Sequence, residues 1–403
     1  MGRLAWGLGA VALAIAGVLL ALSLRPVREG GDTVRVVPAE ELPAWKPDLH
    51  WASSLPSVRR AGEAISIPIY PPWNEQQARQ LFALGELDKF DACCGKLYRP
   101  NIRFMVPFAE YPTQQIEFVV NSRSMREDDE PLAVKPKLRV LVAGDSHTDG
   151  VCQNSESFAN LTEAALRERA SIESAQRKTS FDSRSIEVLN AGRGGHSFFN
   201  YLGTLERNLE LQPDVFVVAV YGGNDFHEVL SAWHTYRNDG KRPPGATRYP
   251  DEIKAAQAIS SPALNQSFYA LKYFDTYPEQ MQIALDCAVE VCGEIQALCL
   301  ERGIRLIVLY LPPRQEIEPN NPALNIRRLL AAMKLEPAAL ANATRLGDQL
   351  LSKLAESGIE HVDLRPAFRQ AGESLYWNAD WHINLAGQRV VARELVRTLS
   401  ARD

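Results

Sequence analysis

At 403 residues, 46% hydrophobic and 23% charged, the chain has an ordinary globular composition and is long enough for one large domain with an accessory part. Its net charge of −5, with no Lys/Arg-rich block or basic stripe, argues against a nucleic-acid partner. The mild acidity points to solubility and to nothing more specific.

The first element is apolar. Leu4–Leu24 (LAWGLGAVALAIAGVLLALSL) is 21 residues without a charge. As a helix it would span about 30 Å of hydrocarbon. Arg3 precedes it; Arg25 and Arg28 follow. The run is longer than the apolar segment of most cleaved leaders, and no small-residue cleavage pattern follows it. It therefore reads as a signal anchor or transmembrane helix over residues 1–30, with a cleaved leader and secretion as the alternative. On either reading the rest of the chain is exported.

Residues 31–135 read as a linker followed by a small β-rich region. The stretch to about residue 60 is rich in Pro, Glu and Arg with little periodicity. Three strand-like runs follow: AISIPIY, IRFMVPF and QIEFVV. Prolines interrupt them, as at sheet edges.

From residue 136 to the end the pattern becomes α/β. Continuous apolar strands (LRVLVAG, SIEVLNAG, PDVFVVAVYGG, IRLIVLYLP, IEHVDL) alternate with helical stretches. The helices are expected over SESFANLTEAALRERA, about 200–211, about 278–302, about 338–357 and LAGQRVVARELVRTL. Unalternating strands imply burial on both faces, so a mostly parallel sheet with helices on each side is expected. Residues 227–277 break the pattern. They are long, aromatic and interrupted by Pro and Gly, and read as an irregular insertion over the site.

The six cysteines do not form a disulfide framework. Cys287, Cys292 and Cys299 fall on one predicted helix, where bridging is geometrically poor. Cys93, Cys94 and Cys152 remain, with Cys93 and Cys94 open to pairing. No C-x-x-C, no H-E-x-x-H and no spaced carboxylate–histidine cluster is present, so neither a metal nor a cofactor is expected.

Four short blocks carry chemistry-bearing residues. The first strand ends at GDSHT, placing Ser146 where such sheets bind ligands. The second ends at NAGRGGHS, whose glycines let backbone approach a ligand. The third ends at YGGNDF, where the Asn224 amide is a donor. Near the C-terminus, NADWHINLAG sets Asp380 and His382 two residues apart, with Asn384 placed to cap the last helix. A serine hydroxyl needs a positioned base, the base an orienting acceptor, and a tetrahedral oxyanion its donors. Taken singly, a turn serine, an Asx turn or a loop histidine is the ordinary reading. The four blocks in order at converging strand ends outweigh it. His147, His196 and His227 flank these blocks; the first two read as supporting packing and His227 as a pocket residue. No G-x-S-x-G elbow is present.

These blocks, in this order over residues 136–403, resemble the SGNH hydrolases, also called GDSL-type esterases and lipases. The resemblance implies a three-layer α/β/α sandwich. It implies Ser146 as nucleophile, His382 as base and Asp380 as its orienter. It also implies an oxyanion hole from Ser146 N–H, Gly195 N–H and the Asn224 side chain, with Gly192 and Gly194 as alternatives to Gly195. Two departures stand out. GDSL reads GDSH here, and D-x-H replaces the commoner D-x-x-H, as in polysaccharide O-acetyltransferase relatives. The segment FVVNSRSMRED resembles an N-x-x-G-x-R lead-in of membrane-anchored members, with Ser124 at the glycine position. The expected function is a membrane-tethered serine esterase acting on an acyl ester, acylated carbohydrate or lipid, outside the cytoplasm of a bacterium. A carbohydrate O-acyltransferase with the same residues, or a non-catalytic binding scaffold, is the alternative.

Overall fold

The computed structural model describes residues 73–401, apart from 74, 83, 181 and 238–247. The apolar run Leu4–Leu24, the linker and the strand expected at AISIPIY lie outside the described residues. No described helix is long and apolar enough to cross a membrane.

Four short strands precede the main sheet. β1 (Asp88–Asp91) and β2 (Gly95–Tyr98) form one antiparallel hairpin. β3 (Ile102–Pro107) and β4 (Gln115–Val120) form a second. The latter two coincide with the runs IRFMVPF and QIEFVV. Phe104, Ile116, Phe118 and Val120 are buried there with Tyr98 and Tyr111.

The α/β part holds one five-stranded parallel sheet. Its strands are β5 (Leu138–Gly144), β6 (Ile186–Asn190), β7 (Val215–Tyr221), β8 (Arg305–Leu311) and β9 (His361–Asp363). Their order is β6-β5-β7-β8-β9. Successive residues of each central strand face opposite cores. Phe216, Val218 and Val220 enter one with Leu306, Val308 and Tyr310. Val215, Val217 and Ala219 enter the other with Ile307 and Leu309. Each such buried Val, Leu, Ile or Phe side chain contributes roughly 1.5–3 kcal/mol. Helices Phe198–Asn208, Pro278–Arg302 and Ala341–Glu356 cover the first face; Phe158–Gln176 and Leu385–Ser400 cover the second. The chain leaves β5 toward β6 on one side and returns to β7 on the other. The crevice between the carboxyl ends of β5 and β7 is the switch point where such sheets bind ligands.

The stretch expected to be irregular is helical where described. Asp225–Arg237 follows β7 directly, and Pro250–Ala263 and Tyr269–Thr276 follow in turn, joined by a π-helical turn, Leu264–Phe268. The prolines that look like breakers sit at helix starts. Pro250 is in a first turn. Pro262 lies just after Ser260, whose extended backbone (φ −161°) restarts the helix and whose Oγ accepts from Ala263 N–H at 3.2 Å. All six cysteines are buried, and none is bridged to another.

Candidate active site

β5 ends at Gly144, and Asp145 caps the short helix Ser146–Asp149 by accepting from His147 N–H at 2.9 Å. Asp145, rather than Ser146, is thus the capping residue, which leaves the Ser146 hydroxyl for other partners. Ser146 Oγ lies 2.8 Å from His382 Nε2. His382 Nδ1 is in a short contact with Asp380 Oδ1, which also accepts from His382 N–H at 3.2 Å. Only Trp381 separates the two, and its backbone is left-handed (φ 72°). Trp381 is buried against Phe268 and Arg314, which holds this costly conformation in place. Asn384 caps the last helix, its Oδ1 accepting from Gly387 N–H at 3.0 Å.

Electrostatics follow from this packing. Burial opposes charge on His382, but the Asp380 carboxylate outweighs it, and the imidazole is held above its ordinary value. The same pair overcomes burial at Asp380 and holds its carboxyl down. Asp145 is pushed up to about 6 by burial. His147 is driven well below the usual histidine range by burial and then by His382, so it is neutral.

Gly192 N–H donates to Asn190 Oδ1 at 3.0 Å, and Gly194 N–H reaches Asp149 Oδ2 at 3.4 Å. Gly195 has φ 79°, a left-handed position that favours glycine. Neither its N–H nor that of Ser146 has a partner among the described residues. After β7, Asn224 Nδ2 donates to Glu228 Oε1 at 3.1 Å, while Asn224 Oδ1 and Glu228 Oε2 are shut off without partners. Burial, then Asp145, pushes Glu228 up to about 8. Ser146, Gly194, Gly195, Asn224 and His382 are each half-buried between fully buried chain neighbours. The three strand ends and the late loop therefore open to solvent at these positions.

Several residues at the site carry no motif. Gln266, in the π-helical turn, bonds both His147 and His382. Lys96 of β2 stands beside Gly195, its Nζ 3.9 Å from where a Cβ would lie. Burial, then Arg193, lowers the Lys96 ammonium to about 8. Tyr98 donates to Asp149 Oδ2 at 2.8 Å, and the Arg193 guanidinium lies 3.8 Å from the Tyr98 ring centroid. No local signal marks these, because each meets the site through long-range packing. Conversely, His196 Nε2 is spent on the Lys96 carbonyl at 2.7 Å. His227 packs against Tyr269 and Tyr273 in edge-to-face contacts. Among the described residues no group of His, Cys, Asp or Glu is placed to hold a metal ion.

Residues 274–403 match a family model described as an SGNH hydrolase-like domain, acetyltransferase AlgX. The match contains Asp380 and His382 and stops short of Ser146, Gly195 and Asn224. No curated protein matches the chain. Solved structures similar to it include an acetyl xylan esterase, 15% identical over 65% of this chain and 100% of that one, with a TM-score of 0.36. An acetylxylan esterase from Geobacillus stearothermophilus is 14% identical over 67% and 97%, with a TM-score of 0.36. A GDSL-like lipase from Bacteroides thetaiotaomicron is 12% identical over 66% and 92%, with a TM-score of 0.32.

Proposed function

From a chain that carries an SGNH hydrolase-like domain, we propose a serine esterase in which Ser146, His382 and Asp380 form the catalytic triad. The observation that carries this reading is the 2.8 Å approach of Ser146 Oγ to His382 Nε2, with Nδ1 turned to Asp380. Ser146 Oγ attacks the ester carbonyl carbon as its proton passes to His382 Nε2. Asp380 holds the Nδ1 proton and balances the imidazolium. The carbonyl oxygen, now negative, takes donors from Ser146 N–H, Gly195 N–H and Asn224 Nδ2 once that amide turns from Glu228. His382 then protonates the departing alkoxide, and water resolves the acyl-serine by the same path in reverse. Gly195 is preferred to Gly192 and Gly194 because its N–H alone is uncommitted. No metal or cofactor enters these steps.

A second reading, acyl transfer to a carbohydrate hydroxyl, is favoured by the acetyltransferase description of the matching family model and by the D-x-H spacing. A sugar hydroxyl then replaces water in the second half-reaction. On both readings the substrate is an acyl ester of a carbohydrate or lipid. The domain is tethered outside the cytoplasm by Leu4–Leu24, as its apolar length supports. Detergent-dependent extraction of the full chain, against one lacking residues 1–30, tests the tether.

The test of function is p-nitrophenyl acetate turnover by the full chain beside Ser146→Ala, His382→Ala and Asn224→Ala, with and without an oligosaccharide panel. Loss in Ser146→Ala and His382→Ala, indifferent to sugar, supports the hydrolase. Turnover raised by one sugar, with acylated sugar formed, supports transfer. Fluorophosphonate labelling that persists in Ser146→Ala overturns both, and a folded wild type that neither turns over nor labels is a binding scaffold.

A further inference from the structure

We infer that Gln266 is a positioning residue of this site, whose side-chain amide fixes His382 as the neutral, Nδ1-protonated base and opposes its imidazolium form. The inference rests on the reading of Ser146 and His382 given above.

The direction of each hydrogen bond is dictated by the one before it. Ile383 N–H can only donate, and it meets His147 Nδ1 at 3.3 Å. His147 is neutral, so its single proton is on Nε2, which therefore donates to Gln266 Oε1 at 3.0 Å. The other end of the same amide, Nε2, then faces His382 Nε2 at 3.1 Å as a donor. His382 Nε2 must accept, so its proton sits on Nδ1 and points to Asp380. Four bonds run in one sense from a backbone N–H to a carboxylate, an arrangement in which each link polarises the next. Gln266 cannot turn over without setting its NH2 against the His147 Nε2–H.

The fold enforces this placement. Gln266 is buried in the π-helical turn Leu264–Phe268, and such bulges re-aim single side chains. Its carbonyl oxygen would lie 2.2 Å from a Cβ on Gly223, so the bulge sits directly on the turn that carries Asn224.

Two donors, Ser146 Oγ and Gln266 Nε2, thus share one lone pair on His382. When the serine proton transfers, the new Nε2–H and the Gln266 N–H face each other. The imidazolium gains nothing from Gln266 and is pressed to give its proton to the leaving oxygen. Gln266 works against Asp380, which favours the charged ring. The other charged groups around His382 are Asp145 and Asp149 on the turn after β5, and Arg314 after β8, which bonds the Trp377 carbonyl at 2.9 Å. His147 is the second ring, stacked on the buried Tyr221.

The experiment is a pH titration of the His382 Cε1–H resonance in the full chain in detergent, identified by its loss in His382→Ala. It is run on wild type, Gln266→Met and Gln266→Glu, beside ester turnover against pH. Methionine fills the space without a donor; glutamate offers an acceptor. The expected result is an upward shift of the His382 midpoint by about half a pH unit or more in Gln266→Met. A larger shift is expected in Gln266→Glu, and the acid limb of kcat/KM should move with both. An unmoved midpoint in either folded variant overturns the inference, whatever happens to stability. Wild-type turnover lost in Ser146→Ala, with no shift, leaves the esterase and removes Gln266. A shift without wild-type turnover keeps the role of Gln266 at His382 and removes the esterase.

Discussion

Tyr98 donates its phenol to Asp149 at 2.8 Å, which ties the β1–β2 hairpin to the short helix that begins with Ser146. Apart from Tyr98, the Asp149 carboxylate has only longer approaches, from Gly194 N–H at 3.4 Å, Arg193 Nη1 at 3.6 Å and Arg126 Nη1 at 3.8 Å. Tyr98→Phe keeps the ring under Arg193 and deletes the donor. Urea unfolding is expected to show a loss of about 1–3 kcal/mol, the cost of a buried acceptor left short of a partner. An unchanged midpoint would mean that water replaces the phenol.

Ser124 stands in the left-handed region (φ 67°), with its hydroxyl buried and unpartnered. The turn is closed by Asn121, whose Oδ1 accepts from Arg123 N–H at 3.0 Å and Met125 N–H at 3.1 Å. It delivers Arg126 to the carbonyls of Asp149 and Gly150. A glycine fits this backbone without strain. Ser124→Gly is expected to stabilise the protein by up to about 1 kcal/mol. A lower thermal midpoint in the variant would count against this account of the turn.

Ester turnover should depend on pH with a defined sign. Protonated His382 cannot accept the serine proton, so kcat/KM is low below its pKa and rises above it. Because Asp380 more than offsets burial, the midpoint is expected above about 6.5, the ordinary histidine value. Asp380→Asn should move that limb down and lower kcat by about 10⁴-fold. A limb that stays in place would remove Asp380 as the partner.

Glu228 gives the opposite dependence in stability. The folded carboxyl holds its proton up to about 8, whereas the unfolded one releases it near 4.5. Between those values the native state binds the extra proton, so stability falls as pH rises. Glu228→Gln removes this term. Its stability relative to wild type should therefore increase from pH 6 to pH 8 in parallel urea titrations. A constant difference would place an ionised carboxylate there already.

The strands and the four blocks were readable because each is local: a continuous apolar run, or a turn whose residues carry the chemistry themselves. Leu138–Gly144 and Pro278–Arg302 have the boundaries that the sequence leads one to expect. Residues 225–276 misled because Pro250 and Pro262 look like breakers but occupy helix starts, and aromatic residues on several faces blur the helical period. Gln266, Lys96 and Tyr98 were hidden for another reason. Nothing in their neighbourhood distinguishes them, and each acquires its place only when elements distant in the chain pack. Asn384 lies between these cases, since its capping role is local but its bonds to the carbonyls of Ser374 and Tyr376 are not.

The indole of Trp381 packs on Phe268 with ring centroids 6.2 Å apart. Phe268 closes the same π-helical turn that carries Gln266. The loop bearing the imidazole is thus keyed mechanically to the segment bearing its amide donor. A displacement of that segment would carry both together and leave their mutual spacing intact. His147, the neighbour of Ser146 on the same short helix, is bonded to both Gln266 and Ile383 N–H, so the nucleophile's own helix is keyed to this pair as well. Gln266, His382 and Ser146 are therefore held as one block, and packing lost between Phe268 and Trp381 would loosen all three together.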